Sequence, residues 1–524
     1  MNKKLLSLCL LILASVYSYG ADFQKGKDAY DNRDYQTAYN EWYPLALNGN
    51  AEAQVGIGEA YQWGRGVATD HTEALKWYRL ATDQGFSDAQ VKLGEMYAMG
   101  GEVERDYKEA MKWYKLAAEQ GNPLAQKNIG FMYAWGKGVL QDYSEAMKWY
   151  KLAAEQGNPL AQQNIGEMYE RGKGVLQDYT EALKWYKLAA KQGGNGYSYA
   201  VANLYHFKLQ NYVEAAKWWK LLEHNVYAQI NLGKLYYYGR GVTQDYSEAM
   251  RLFKGNAEGN YDPKFYIGLM YENGQGVEQN YSEAFRWYRE VGSYHSGAAY
   301  KLGVMFESGK GVPQDYVQAV EWYLRAAKTP IVDAENSMGM MVSDAQYRLG
   351  VMADEGIGVT QKDSAAAYWY GLAVKNGFMA AEYKLGLMYS LGRGVRQNHI
   401  EAVRLYRLSA DHGDSDGQYG MGVSYYNGQG VPQDYKEAMK WYKLAVDQGH
   451  IGALNDLGEM YLYGQGVLPN SATAYMYFNL SAYFGSEKAR INRDKLSAKM
   501  ASQDISTAQQ MAKEWLADYE KRTK

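Results

Sequence analysis

Cysteine is nearly absent: Cys9 is the only one in 524 residues, so no intrachain disulfide can form and packing alone must hold the fold. Eight prolines are few for this length and agree with a mostly helical chain. Beyond the N-terminus no apolar run is long enough to span a bilayer, which excludes stable membrane insertion. Charge of one sign is also missing. The 56 basic and 59 acidic residues are mixed along the chain, with no basic block for a nucleic-acid backbone and no acidic tail. The seven histidines (His71, His206, His224, His295, His399, His412 and His450) have no metal-ligand spacing to one another or to cysteine. No Gly-x-Ser-x-Gly elbow occurs. We therefore expect no catalytic residues, no cofactor and no metal: a protein that is not an enzyme.

What is abundant is glycine at a fixed interval. Gly58, Gly94, Gly130, Gly166, Gly233, Gly268, Gly303, Gly350, Gly386, Gly422 and Gly458 mark copies of one segment, mostly 35 or 36 residues apart. The interval of 67 before Gly233 hides a decayed copy, and that of 47 before Gly350 carries an insertion. Such a period means stacked units rather than one globular core, and a long repetitive wall suits holding a partner.

The first twenty residues read as a secretory signal. Lys3 and Lys4 precede the apolar stretch Leu5 to Val16, and Ser18-Tyr19-Gly20 places small residues at the −3 and −1 cleavage positions. Leu8 rather than a small residue precedes Cys9, which argues against a lipid anchor. The expectation is cleavage after Gly20 and a periplasmic or secreted protein.

The copy around Gly130 carries the local logic. Asn122 and Pro123 suit an N-cap and first helical position. Ala125, Ile129 and Tyr133 recur every four residues as a buried stripe. Gly130 within that helix costs about 1 kcal/mol against alanine, so its recurrence implies a place where two helices approach too closely for any side chain. Gly136 and Gly138 end the helix. Asp142 and Glu145 have capping-box spacing before a second helix, as do Asp70/Glu73, Asp106/Glu109, Asp178/Glu181, Asp245/Glu248, Asp434/Glu437, Asn280/Glu283 and Asn398/Glu401. Repeated carboxylates at a helix start are caps, not acid–base pairs. Ala146, Trp149, Tyr150 and Ala153 form the inward stripe of the second helix, and the many Trp-Tyr pairs are core by this spacing. The Gly-x-Gly-Val turns lack the lysine of a phosphate loop.

This unit resembles the Sel-1-like repeat (SLR), a relative of the tetratricopeptide repeat. The likeness rests on Leu232-Gly233, Leu235-Tyr236, Gly239-Arg240-Gly241-Val242 and Asp245, and on Leu457-Gly458, Met460-Tyr461 and Gly464-Gln465-Gly466-Val467. Eleven copies cover most of residues 51–486. The resemblance implies an all-α, right-handed α/α superhelical solenoid and a protein–protein interaction role. Exported bacterial relatives include binders of host proteins and modulators of envelope enzymes. This chain lacks the disulfide that one branch carries in each repeat.

Departures from the pattern divide the chain. After a signal at 1–20, residues 22–50 read as an N-terminal half-repeat, with Asp34-Tyr35, Ala38 and Trp42-Tyr43 at second-helix positions. Repeats fill 51–196, 227–328 and 343–486, a degenerate copy 197–226, and an insertion expected to protrude as a loop 329–342. Capping helices fill 487–524, where Ala508, Met511, Ala512, Trp515, Leu516 and Tyr519 trace one face.

Aligning first helices on the marker glycine gives the candidate site. Three residues before it, five neighbouring copies carry Phe265, Tyr300, Tyr347, Tyr383 and Tyr419; one residue after it they carry Leu269, Val304, Val351, Leu387 and Val423. Positions four apart adjoin on one helical face. Other copies read Val55/Glu59, Val91/Glu95, Gln163/Glu167, Ile230/Lys234 and Asn455/Glu459, so folding does not demand an apolar pair. Two readings stand: a ladder inside a groove for an extended or helical protein partner, or packing between adjacent first helices. The function expected is an exported interaction scaffold, host-directed or envelope-regulatory. The alternative is an envelope enzyme, or a modulator of one, acting on cell-wall glycan or β-lactam.

Overall fold

Every copy needs two helices and a sharp turn, and the residues around Gly130 supply them. In the computed structural model, which describes residues 21–100, 103–328 and 337–523, the first helix runs Pro123–Trp135 and the second Tyr143–Glu155. Asn122 caps the first, its side chain accepting from the N–H groups of Leu124 and Ala125. Gly136 closes it at φ 64° and Gly138 follows at φ 69°, a backbone that only glycine adopts freely. Asp142 caps the second helix by accepting from the N–H of Glu145. Asp70, Asp106, Asp178, Asn280, Asn398 and Asp434 repeat that bond. The glutamates depart from the capping-box expectation: each is held by a base one turn on, Glu109 by Lys112 at 2.6 Å and Glu401 by Arg404 at 2.7 Å. An ion pair at i,i+3 thus takes the carboxylate.

The marker glycine makes room for a ring, not for a helix backbone. A Cβ on Gly130 would lie 2.6 Å from Cδ1 and Cε1 of Tyr150, the tyrosine of the Trp-Tyr pair twenty residues on. Gly94 with Tyr114, Gly166 with Tyr186 and Gly303 with Tyr323 repeat the contact, and Phe478 replaces tyrosine over Gly458. These tyrosines are buried, Tyr150 at 2% exposure. Most of their tryptophan neighbours are only half-buried, so the Trp-Tyr pair is core mainly through its tyrosine.

Copies join through shared cores and through their turns. Ala110, Met111, Tyr114, Ala117 and Ala118 of one second helix pack with Ala125, Ile129 and Met132 of the next first helix, and Trp149 covers them. The second turn glycine docks on the preceding copy: a Cβ on Gly138 would meet the Tyr107 backbone carbonyl carbon at 2.7 Å. Beside it, the Lys137 ammonium lies 5.5 Å from the Tyr107 ring, a contact repeated by Lys173 over Tyr143 at 5.4 Å.

The result is an all-α repeat solenoid, with 28 α-helices and no strand among the described residues. The chain divides into two compact units, Met1–Asp245 and Tyr246–Lys524. No helix among the described residues is long and apolar enough to cross a membrane. The expected signal segment, 1–20, lies outside the described residues.

Two expectations about irregular segments change. Residues 22–50 form two helices, Phe23–Asp31 and Tyr35–Leu47, rather than half a repeat. Trp42 explains it: its indole fills the space over Gly26 and Gly56 and its Nε1 donates to the Phe23 carbonyl at 3.1 Å. In the insertion, residues 329–336 lie outside the described ones. From Ser337 the chain is already helical, in a 19-residue helix to Glu355, so no loop extends to 342. The degenerate copy keeps both helices, Asn195–Asn203 and Tyr212–Lys220, but a π-helical turn at Leu204–Lys208 and Gln210 at φ 50° replace the glycine turn. At the C-terminus, Glu487–Ser497 and Ser502–Thr523 are helices, and Ala508 and Ala512 bury against the Ser471–Tyr483 helix and its neighbours.

Candidate functional site

All ten ladder residues lie in the second unit. Within it, first helices of consecutive copies touch directly, Ser296–Ser308 with Ser337–Glu355 and Ala380–Leu391 with Ser415–Asn427. No two of the second helices in that run approach as closely.

Each aromatic sits over the tyrosine that covers its own marker glycine. Phe265 lies 5.9 Å from Tyr288, Tyr300 6.0 Å from Tyr323, Tyr347 5.8 Å from Tyr370, Tyr383 5.7 Å from Tyr406 and Tyr419 5.7 Å from Tyr442. Several also reach the start of the next first helix. Phe265 stacks on His295 at 4.4 Å, Tyr347 meets Phe378 at 5.1 Å and Tyr419 stacks on His450 at 4.3 Å. Both histidines are N-caps, their Nδ1 atoms accepting from Ala298 and Ala453.

Burial divides the ladder. Phe265 and Leu269 are 4% and 9% exposed and belong to the core. Tyr300, Val304, Tyr347, Val351, Tyr383, Leu387, Tyr419 and Val423 are half-buried. One side of each packs and the other side meets solvent. The two readings of the sequence therefore apply to different parts: the first rung is inter-helix core, and the next four form a partly open apolar strip.

Electrostatics keeps the strip neutral. Burial raises the phenols of Tyr300, Tyr347 and Tyr419 above their ordinary value and pushes Tyr383 up to about 12, so all four remain hydrogen-bond donors. Tyr300 donates to Asp344 of the next copy, and Tyr419 to Asp456 at 3.0 Å. Equivalent positions elsewhere carry ion pairs instead: Lys92 bridges Glu59 at 2.7 Å and Glu95 at 3.8 Å, and Lys488 pairs with Glu459 at 2.9 Å.

A second ladder escaped the sequence reading. Buried glutamines near the start of first helices accept from a glutamine thirty residues on, at the end of the second helix. Gln90 accepts from Gln120 at 2.9 Å, Gln126 from Gln156 at 2.8 Å and Gln418 from Gln448 at 3.0 Å. Aligning all copies at that spacing would have found it. In one copy Glu382 and His412 take these places, 2.9 Å apart.

The family follows from this architecture. The Sel1 repeat matches residues 51–86, 87–122, 123–158, 159–194, 226–254, 264–290, 296–328, 343–378, 380–414, 415–450 and 451–483. The chain belongs to the Sel1 repeat family. A similar solved structure is a protective antigen present in uropathogenic Escherichia coli strains, displaying an SLR fold. It is 30% identical, covering 92% of this chain and 95% of that one, with a TM-score of 0.53. A Sel1 repeat protein from Oxalobacter formigenes is 29% identical over 48% of this chain and 96% of its own, with a TM-score of 0.38. No curated protein sequence matches the chain.

Proposed function

We propose that this protein is an exported, non-enzymatic scaffold that holds a protein segment against the first-helix face of its second unit. The observation that carries the reading is the half-buried apolar strip from Tyr300 to Val423 on four successive copies, where other copies place charge. A partly open apolar strip running over successive copies is the kind of surface on which a protein segment docks. Export rests on the signal-like residues 1–20, and likeness to a protective antigen of a pathogenic bacterium agrees with it. A partner met outside the cytoplasm is then an envelope or host protein.

Site-directed photo-crosslinking tests this. A benzophenone side chain is placed at Val351 or Leu387, and for comparison at Glu95, and the chain is exposed to envelope extract and to host secretions. The reading predicts protein adducts from the two ladder positions and none shared with Glu95. Equal labelling at all three, or none at the ladder, refutes it.

A further inference from the structure

The two positions that build the apolar strip of the second unit build something different at the start of the first. Val55 and Val91 stand three residues before their marker glycines, where the strip has tyrosine. Glu59 and Glu95 stand one residue after those glycines, where the strip has an aliphatic side chain. Valine lacks the ring that fills this place in the strip, and a cleft of about 410 Å³ is open there. It is bounded by the helices Phe23–Asp31, Ala51–Trp63 and Ser87–Met99 and by the first turn of Pro123–Trp135. That volume lies in the range of pockets that take a ligand or the side chains of a partner.

The bottom of the cleft is apolar. Trp42 and Val91 are buried beneath it, and Phe23, Val55, Phe86 and Leu124 are half-buried along it. Its charged groups are the carboxylates of Asp31, Glu52, Glu59 and Asp88 against the ammonium groups of Lys27 and Lys92. Lys92 is held by Glu59 at 2.7 Å and by Glu95, just outside the cleft, at 3.8 Å. Asp88 accepts from the Asn122 amide at 2.7 Å, which leaves its charge in place. Asp31 and Glu52 are exposed, and neither carboxylate pairs with a base. Around the cleft, Lys127 offsets Glu95, and Arg65 is held over the rings of Tyr30 and Tyr35. The rim therefore keeps an excess of negative charge above an apolar bottom. An acidic occupant is repelled there, and an uncharged one leaves Asp31 and Glu52 unanswered.

We propose that this cleft docks a basic, amphipathic segment of a partner protein. Its apolar side chains lie over Trp42, Val55 and Val91, and its lysines or arginines pair with Asp31 and Glu52. The surface is separate from the strip of the second unit, and neither reading depends on the other.

The test uses the full chain and fluorescently labelled 12-residue peptides in which two leucines are flanked by two lysines, two glutamines or two glutamates. Anisotropy at low salt should show lysine peptides binding roughly fivefold tighter than glutamine peptides, the worth of two exposed ion pairs, and glutamate peptides binding least. The lysine advantage should shrink as salt screens the pairs. Asp31→Lys with Glu52→Lys should reverse the order of the lysine and glutamate peptides. Val55→Tyr should abolish binding of all three. The new ring would fill the cleft as Tyr300 fills its own place, with Asp88 standing where Asp344 accepts from Tyr300. Leu387→Glu, in the strip, should change nothing. Should Val55→Tyr unfold the chain, the charge-reversed variant decides, since both of its positions are exposed. Equal affinity for the three peptides, or a lysine preference that survives the charge reversal, overturns the proposal. Binding that a folded Val55→Tyr chain retains, or that Leu387→Glu removes, also overturns it. Failure of every peptide to bind does the same, and self-association in light scattering would then give the cleft to a second copy.

Discussion

Replacing Gly130 with alanine tests the packing account at its repeating unit. Helix propensity alone favours alanine by about 1 kcal/mol. Against that, the new Cβ would stand 2.6 Å from two carbons of the Tyr150 ring, which must retreat by about 0.8 Å to regain ordinary contact in a close-packed interior. Tyr150 is 2% exposed, so its retreat displaces the neighbouring core rather than solvent. Overpacking of this kind costs about 1–3 kcal/mol, which cancels or exceeds the propensity gain. Gly371 supplies the control. It lies inside the helix Asp363–Lys375, and nothing comes within 4 Å of a Cβ built on it. Gly371→Ala should therefore raise stability by about 1 kcal/mol. Thermal and urea unfolding of both variants give the answer, together with Gly130→Ala carrying Tyr150→Leu to measure coupling. A rise for Gly371→Ala with a fall for Gly130→Ala, partly relieved by the second substitution, is the expected result. Equal rises for both glycines would refute the ring-over-glycine argument.

Three further outcomes follow. Replacing Tyr347, Tyr383 and Tyr419 together by serine should lower the melting temperature clearly, since full burial would cost about 3–5 kcal/mol per ring and these are half-buried; replacing them by phenylalanine should leave it near that of the parent. Burial raises the phenols of Tyr78, Tyr114, Tyr150, Tyr186, Tyr323, Tyr370, Tyr406 and Tyr442, so the unfolded chain ionises first. Stability should then be intact below pH ~10 and fall above it by about 1.4 kcal/mol per residue for each further unit, with loss of helical circular dichroism coinciding with tyrosinate absorbance. Gln126→Ala should destabilise by about 1 kcal/mol in urea unfolding by removing a buried acceptor of the Gln156 amide, which then keeps only the Leu152 carbonyl at 3.4 Å; a change no larger than that of an exposed Gln→Ala substitution would remove the glutamine ladder from the account.

The repeat, its two helices and its turn were legible because each rests on short-range rules: capping aspartates, left-handed glycines and a period-four stripe. The candidate strip was legible as a difference between copies at fixed positions. What the sequence concealed depends on contacts twenty to forty residues apart. The partner of Gly130 is a ring twenty residues on, and Asp354 is held by Arg393, 39 residues on. Phe265 and Tyr347 occupy equivalent positions, yet the first is core and the second half-buried, a difference set by neighbours more than twenty residues away. The N-terminal pair of helices was hidden for a related reason. Its first member, Phe23–Asp31, is short and gains its stability from Trp42 rather than from its own pattern.

The most direct measurement of the central claim is the affinity of the crosslinked partner for three forms of the chain: unaltered, Val351→Glu with Leu387→Glu, and Glu95→Val with Glu167→Val. Glutamate already occupies the equivalent position at Glu59, Glu95 and Glu167, so the first variant should keep its fold and its melting temperature. Charging an apolar docking strip should weaken binding by about tenfold or more per site, while the second variant binds as the unaltered chain does. Unchanged affinity in the ladder variant, or a loss no greater than the fraction unfolded, would contradict the claim that this wall holds the partner.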